Sequence, residues 1–340
     1  MANYFPAQAK VTPSFSEPEL IVTYAQASGA FAALQGGKPR VKLGNEDLYV
    51  YVNHLDVRTE SLSAQQPSNF LPSASLVADY FSTQTYLVRC RAIWDHHEMA
   101  QAANYAVALP GAQDLAMRQG IYLQMRSGLL YGFTAGNNEG LTNAQGATAV
   151  TLPPDSYGHT TVSTYDSGQM ALWLLGEIVA LKTAAYQFGV PNHIIAVGPQ
   201  RILGQLSYQS IVQVVSYQRP GAGTSTSLEV VQAVAKDNGD TFEWYYDDTL
   251  IGKGTGGADL VILTIPEVEA PTIPGINTNV FGNDMKPRSD AVNVMYADMA
   301  APMKIPTPIP DGAITEIQEI RVSAGWNWRP QLLFLLSMPY

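Results

Sequence analysis

LLYGFTAGNNEGLTN, residues 129–143, places Gly132, Gly136 and Gly140 at four-residue intervals directly after an apolar, helix-like run. Such a stretch is either a cradle for phosphate or a piece of backbone that must bend. A cradle needs G-x-G-x-x-G after a strand, or G-x-x-x-x-G-K-[ST] leading into a helix whose N-terminal amides face the anion. GFTAGNNEG has neither spacing, and it follows a helical pattern instead of a strand. As a bend the residues make sense. Gly132 stops a helix, Gly136, Gly140 and the pair Asn137–Asn138 tolerate positive φ, and Leu141 returns the chain to a core. We therefore read Gly132, Gly136, Gly140 and Asn143 as a structural turn.

The helix that ends at this turn is predicted over about Ala112–Tyr131, with Leu115, Tyr122, Met125 and Leu129 on one face. A shorter helix precedes it, starting at Asp95, where Glu98 three residues later resembles a capping box. Pro110–Gly111 is expected to break the two apart. Further upstream, LYVYVNHLDVRTE (48–60) and TYLVRCRAIW (85–94) are rich in β-branched and aromatic residues. The polar SLSAQQPSNFLPSAS (61–75) lies between them, so the two strands form a long hairpin. A two-stranded ribbon has little core of its own and must lie on something else. Residues 1–45, rich in Ala, Gly, Ser and Pro, read as an extended arm with a short helix around Ile21–Ala27.

Downstream, Met170, Leu174, Ile178, Leu181, Ala185 and Phe188 form an apolar stripe that Gly189 ends. HIIAVG (193–198) reads as a buried strand, and Pro199 opens a helix over PQRILGQLSYQ. LEVVQAVA (228–235) and TFEWYY (241–246) flank Asn238–Gly239, a hairpin signal. LVILTI (260–265) is another strand, and GKGTGG (252–257) before it reads as a flexible loop. Pro302, Pro306, Pro308 and Pro310 suggest a polyproline-like connection over 300–312. ITEIQEIRVSAGW and PQLLFLLSM close the chain as strands. The strand–helix–strand order over about 168–290 indicates an α/β or α+β unit.

Composition narrows the function. The chain has 340 residues and a formal net charge of −10. Its 19 basic residues form no stripe, which argues against sequence-independent nucleic-acid binding. Charged residues make up 14%, against roughly 25% in average proteins, as expected where much surface meets protein rather than water. The single cysteine, Cys90, excludes an intrachain disulfide and reads as an inert thiol. MANYFPAQAK lacks a basic n-region and an apolar h-region, so no secretory leader is expected there. The longest apolar segment, 170–189, carries Glu177 and Lys182 and is not a membrane span.

No segment meets the requirements of a catalytic site. His96 and His97 point about 100° apart on a helix, and no ligand follows at the i+4 spacing of a zinc helix. Asp247 and Asp248 read as a solvated turn. The remaining histidines, 54, 159 and 193, stand in unrelated contexts, and no G-x-S-x-G elbow occurs. Neither cofactor, metal site nor catalytic residue is expected.

The order of segments carries a resemblance. MRQGIYLQMRSGLLYGFTAGNNEGLTN (117–143), HIIAVGPQRILGQL (193–206) and IRVSAGWNWRPQLLFLL (320–336) are together similar to the Hong Kong 97-type major capsid proteins of tailed bacteriophages. There a spine helix ends in a Tyr/Phe–Gly step, a turn gives G-L-x-N (here Gly140–Asn143), and a closing strand carries Arg–Pro (here Arg329–Pro330).

The resemblance implies an α+β fold of four parts. These are an N-terminal arm (1–45), an extended β-hairpin loop (46–94), a peripheral domain (95–167 and 291–340, with the spine helix at about 112–131) and an axial domain (168–290). It implies a structural protein, not an enzyme, that assembles with itself as pentamers and hexamers. The resulting icosahedral virion shell would enclose double-stranded DNA without reading its sequence or touching a membrane. A separate scaffolding protein, a portal and possible decoration proteins are the implied partners, with assembly in the bacterial host cytoplasm. Arg58, Glu60, Arg89 and Arg91 on the hairpin strands are candidate inter-subunit contacts. The alternatives are an encapsulin-like cellular compartment shell and a soluble metal-dependent enzyme using His96/His97 or Asp247/Asp248.

Overall fold

The computed structural model describes residue 34 and residues 41–58, 75–104, 108–134, 139–184, 192–208, 210–211, 225–269, 290–292, 294–299, 301–310, 312–327 and 329–340. The helix expected near Ile21–Ala27, most of the arm, Glu60, the polar loop as far as Ala74, Gly136, Asn137–Asn138, Ala185, Phe188 and Gly189 lie outside the described residues.

One strand organises half of the fold. Ser75–Trp94 runs 20 residues without interruption. Its first ten pair antiparallel with Tyr49–Arg58, from Tyr49↔Gln84 to Arg58↔Ser75. Its last ten pair with Ile314–Ser323, from Thr85↔Ser323 to Trp94↔Ile314. The strand therefore changes partner between Gln84 and Thr85, and beyond that point the hairpin is a two-stranded ribbon. Val41–Lys42, Ala297–Asp298 and Met303–Pro308 complete a six-stranded sheet. The last of these corrects the expected polyproline connection: residues 303–308 are a strand. Among the described residues they pair along 314–319 alone, with Pro306 opposite Glu316 and Pro308 opposite Ile314. An edge position suits prolines, which have no N–H to give a second neighbour.

The long helix, Leu109–Tyr131, lies across this sheet. Met117, Ile121, Met125 and Leu129 recur at i+4 and are buried, the last three against a face that includes Val88, Cys90, Ile320 and Val322. Leu115, expected on this stripe, is exposed instead. Pro110 does not break the helix, because it occupies the first turn, where the missing N–H is not needed. A separate helix, His96–Asn104, precedes it. There Glu98 N–H donates to Asp95 Oδ1 (2.7 Å) and Asp95 N–H to Glu98 Oε2 (3.3 Å), the reciprocal cap that the sequence suggests.

A five-stranded sheet forms the other half, in the order Thr148–Thr151, Leu333–Met338, Asp259–Thr264, His193–Gly198, Thr241–Tyr246. The central strand 259–264 is buried throughout. Helices Ser167–Ala184, Gln200–Tyr208 and Ser227–Asp237 cover one face through Leu174, Ile178, Leu181, Ile202, Leu206 and Val231. On the other face Ile195, Val197 and Ile262 share a core with Leu129 and Leu130 of the long helix.

Two expectations are corrected here. LEVVQAVA is helical, and Asn238–Gly239 closes that helix instead of turning a hairpin. Thr226 and Glu229 cap its start reciprocally, and Val231 and Ala235 bury the i and i+4 positions, which outweigh the β-propensity of the valines. The hairpin expected of 48–60 with 85–94 is a different one: 49–58 pairs with 75–84, and 85–94 pairs with 314–323. Strand 333–338 pairs with both 148–151 and 259–264 in the five-stranded sheet.

Candidate assembly surface

The turn after the long helix is a packed joint. Gly132 and Gly140 have φ of 75° and 84°, in the left-handed region that favours glycine. A Cβ on Gly140 would fall against the backbone of Tyr131 and Gly132, and one on Gly325 against the Leu129 carbonyl. Gly140 N–H donates to Gly325 O (2.9 Å), and Gly325 N–H to Gly128 O (3.1 Å). Helix end, turn and the bend after strand 314–323 are thus drawn together by backbone alone. Glu139, buried here, accepts from Tyr86 Oη (2.5 Å) and from Thr134 N–H (3.2 Å). The Tyr86 and Phe133 rings lie 4.7 Å apart, tying the long strand to the same joint. Gly132, Gly140 and Asn143 lie together at this joint. Glu139, Tyr86 and Gly325 were missed, because long-range contacts leave no local spacing to read.

The root of the hairpin is clamped where the long strand changes partner. Arg321 donates through Nε to Asn45 O (2.7 Å) and through Nη1 to Thr85 Oγ1 (3.1 Å). Thr85 Oγ1 in turn donates to Asp47 O (2.5 Å). Val50 buries one side of the ribbon's root against Leu43, Ala297 and Trp326. On the other side Tyr49, Tyr51 and Tyr80 are 53%, 63% and 65% exposed. Their ring centroids are 6.3 Å (49–51) and 6.0 Å (51–80) apart, a row along one face. The period-2 repeat of Tyr49 and Tyr51 was the available signal for it.

The sheet face away from the long helix is open in another way. Arg89, Arg91 and Ile93 alternate along the strand, opposite Glu319, Ile317 and Thr315, with Met303 and Ile305 in the next strand. Arg89 Nε pairs with buried Glu319 Oε2 at 2.9 Å yet stays largely exposed. Arg91, Ile93, Met303 and Ile305 are exposed as well. Arg58 ends strand Tyr49–Arg58, opposite Ser75 and far along the strand from Arg89 and Arg91.

Elsewhere the polar residues do structural work. His96 and His97 stack at 3.9 Å, and among the described residues no three His, Cys, Asp or Glu are placed to hold a metal. Asp247 is buried, not solvated, and accepts from Thr249 N–H (3.0 Å), while Asp248 accepts from Gln200 N–H (2.8 Å). Each carboxylate ends a helix or turn, and they do not face a common point. GKGTGG is pinned instead of loose: Gly252 N–H donates to Asp259 Oδ1 (3.0 Å) and Thr255 N–H to Ser337 Oγ (2.9 Å). Among the described residues no helix is long and apolar enough to cross a membrane.

No protein-family model matches the chain, and no curated protein matches its sequence. Solved structures do match along nearly the whole length. The capsid of Myoviridae phage XM1 is 12% identical, with 96% of this chain and 97% of that chain covered and a TM-score of 0.68. A chain from Mycobacterium phage Adephagia is 10% identical over 98% and 96%, at 0.58. The bacteriophage PhiM1 mature capsid is 9% identical over 96% and 92%, at 0.55. At such identities the likeness is one of fold, and the fold is that of phage capsid chains, as the order of segments implied.

Proposed function

We propose that the chain is a major capsid subunit, many copies of which assemble as pentamers and hexamers into an icosahedral shell around double-stranded phage DNA. The fold it shares with phage capsid chains is the premise. In this reading residues before about 46 are the arm, the ribbon 49–58/75–84 is the extended loop and Leu109–Tyr131 is the spine helix. The six-stranded sheet belongs to the peripheral domain and the five-stranded sheet to the axial one.

The observation that carries the proposal is the long strand Ser75–Trp94, which bares one kind of surface in the ribbon and another in the sheet. Tyr80 and Arg89/Arg91 have opposite parity, so they leave the strand on opposite faces. The tyrosine face of one copy can therefore lie over the arginine–isoleucine face of the next. Such a head-to-tail contact repeats around a ring and closes when the rotation allows it. Aromatic rings over guanidinium groups suit this contact, and Tyr and Arg are the residue types that dominate interface energetics. Arg58, Glu60, Arg89 and Arg91 are its proposed charged contacts.

A shell also accounts for the rest. Low charge density fits extensive protein contact, and the net charge of −10 keeps packaged DNA from adhering to the wall. A separate scaffolding protein, a portal and possible decoration proteins are the proposed partners, in a virion assembled in the host cytoplasm. The test is deletion of residues 61–78. The deletion is expected to leave a folded subunit that forms no shells under conditions in which the intact chain does. Normal shells from the deletion would refute the role given to the ribbon.

A further inference from the structure

Residues 41–47 lead into the hairpin, and their strand Val41–Lys42 joins the sheet through Ala297–Asp298. Leu43 N–H donates to the Asp298 carbonyl (2.8 Å), and Asp298 sits opposite Val322 on its other side. The Asp298 side chain is buried in this seam, and its Oδ1 has no hydrogen-bond partner among the described residues. A buried carboxylate with one oxygen unpaired is costly to keep ionised.

Among the described residues the surroundings offer it no cation. Lys42, its register neighbour on the first strand, is exposed and makes no ion pair with it. Tyr296, on its own segment, is close enough for the Asp298 charge to disfavour a negative charge on its hydroxyl. On strand 314–323 the facing residue is apolar Val322, and the adjacent Arg321 is turned away to hold Asn45 and Thr85. On the long strand, beyond Val322, Tyr86 is already committed to Glu139.

We propose that Asp298 is a proton-operated latch: its protonation tightens the seam between residues 41–47 and the sheet, so the hairpin root is held more firmly in mildly acid than in neutral solution. This rests on the seam geometry and is independent of the capsid reading. Burial pushes the Asp298 carboxyl up from 3.8 to about 6. The folded seam therefore binds a proton that the opened seam releases. Stability is gained as pH falls through about 6 and is lost as pH rises through the same range.

The test is amide hydrogen exchange of residues 42–47 in the unassembled subunit from pH 5 to 8, corrected for intrinsic exchange. Protection is expected to fall as pH rises, by about tenfold between pH 5 and 8, because most of a gap of about two pKa units is gained only as pH falls from 5 toward 4. Asp298→Asn should flatten the profile at its acid-side level. A flat wild-type profile, or an unchanged slope in Asp298→Asn, would overturn the latch. Should Asp298→Asn not fold, carboxyl carbon NMR of the aspartates in the wild-type subunit decides. A midpoint near 6 for Asp298 supports the latch, and one near 4 removes it.

Discussion

Asn143 reaches back to the helix that the chain has just left: its Nδ2 donates to the Tyr131 carbonyl at 2.9 Å and to the Glu139 carbonyl at 3.2 Å. Beside it Thr142 Oγ1 donates to the Leu130 carbonyl (2.9 Å). The helix end, which has no acceptors' partners within its own ladder, is thus closed by side chains twelve residues later in sequence. Replacing Asn143 with Ala is expected to cost about 1 kcal/mol in urea unfolding, the worth of exposed hydrogen bonds.

Gly140→Ala should cost far more. The added Cβ combines a positive-φ penalty with a collision against Tyr131 and Gly132 backbone that no rotamer relieves. A loss of about 4 kcal/mol is expected, near the upper end for single substitutions. A change below 1 kcal/mol would mean that the joint is looser than described.

The buried pair Lys182–Asp240 (2.6 Å) ties helix Ser167–Ala184 to the start of strand 241–246, and Asp240 also accepts from Asn192 N–H (3.0 Å). Asp240→Ala strands the lysine charge and should destabilise by about 3–5 kcal/mol. Replacing both residues with apolar ones of similar volume should recover most of that loss. Equal losses in the single and double variants would contradict this account.

Asp155 makes the loop 155–166 acid-sensitive. Burial alone would raise its carboxyl, but hydrogen bonds from His159 backbone and ring, Asp166 N–H and Tyr157 N–H outweigh it and hold the group at about 2. The sign follows from this depression. The stabilisation is complete above the ordinary carboxylate range near 4 and is lost as pH falls toward 2. Pepsin cleavage within 155–166 is expected to rise between pH 4 and 2, whereas Asp155→Asn should be cut readily across that whole range.

What the sequence shows is local order. The strand character of 49–58 and 85–94, the stop at Gly132 and the cap at Asp95 follow from alternation, φ freedom and side-chain chemistry within a few residues, whereas the partners of the two strands do not. LEVVQAVA was misread because valines favour strands in isolation, while burial of Val231 and Ala235 on one helical face decided otherwise. Residues 303–308 were misread because proline content conceals an edge strand whose partner is supplied from 314–319. The membership of 333–338 in the five-stranded sheet depends on a pairing with 259–264, seventy residues away, that no window of sequence displays. The alternation of Arg89, Arg91 and Ile93 on one strand face can be read from the sequence. Tyr80 joins Tyr49 and Tyr51 only through register.

The exposed tyrosines separate folding from assembly. Tyr51→Ser and Tyr80→Ser remove largely exposed rings that contact each other in the lone subunit, so each should change its stability by no more than about 1 kcal/mol. Together they should raise the protein concentration needed for assembly at least tenfold, or abolish assembly.

The central claim is tested most directly by electron microscopy of the purified full-length chain, alone and with its scaffolding partner, beside the Tyr51→Ser/Tyr80→Ser variant. Closed shells or five- and six-membered rings from the wild type, and none from the folded variant at the same concentration, are the predicted result. A wild type that stays a monodisperse monomer under both conditions would contradict it.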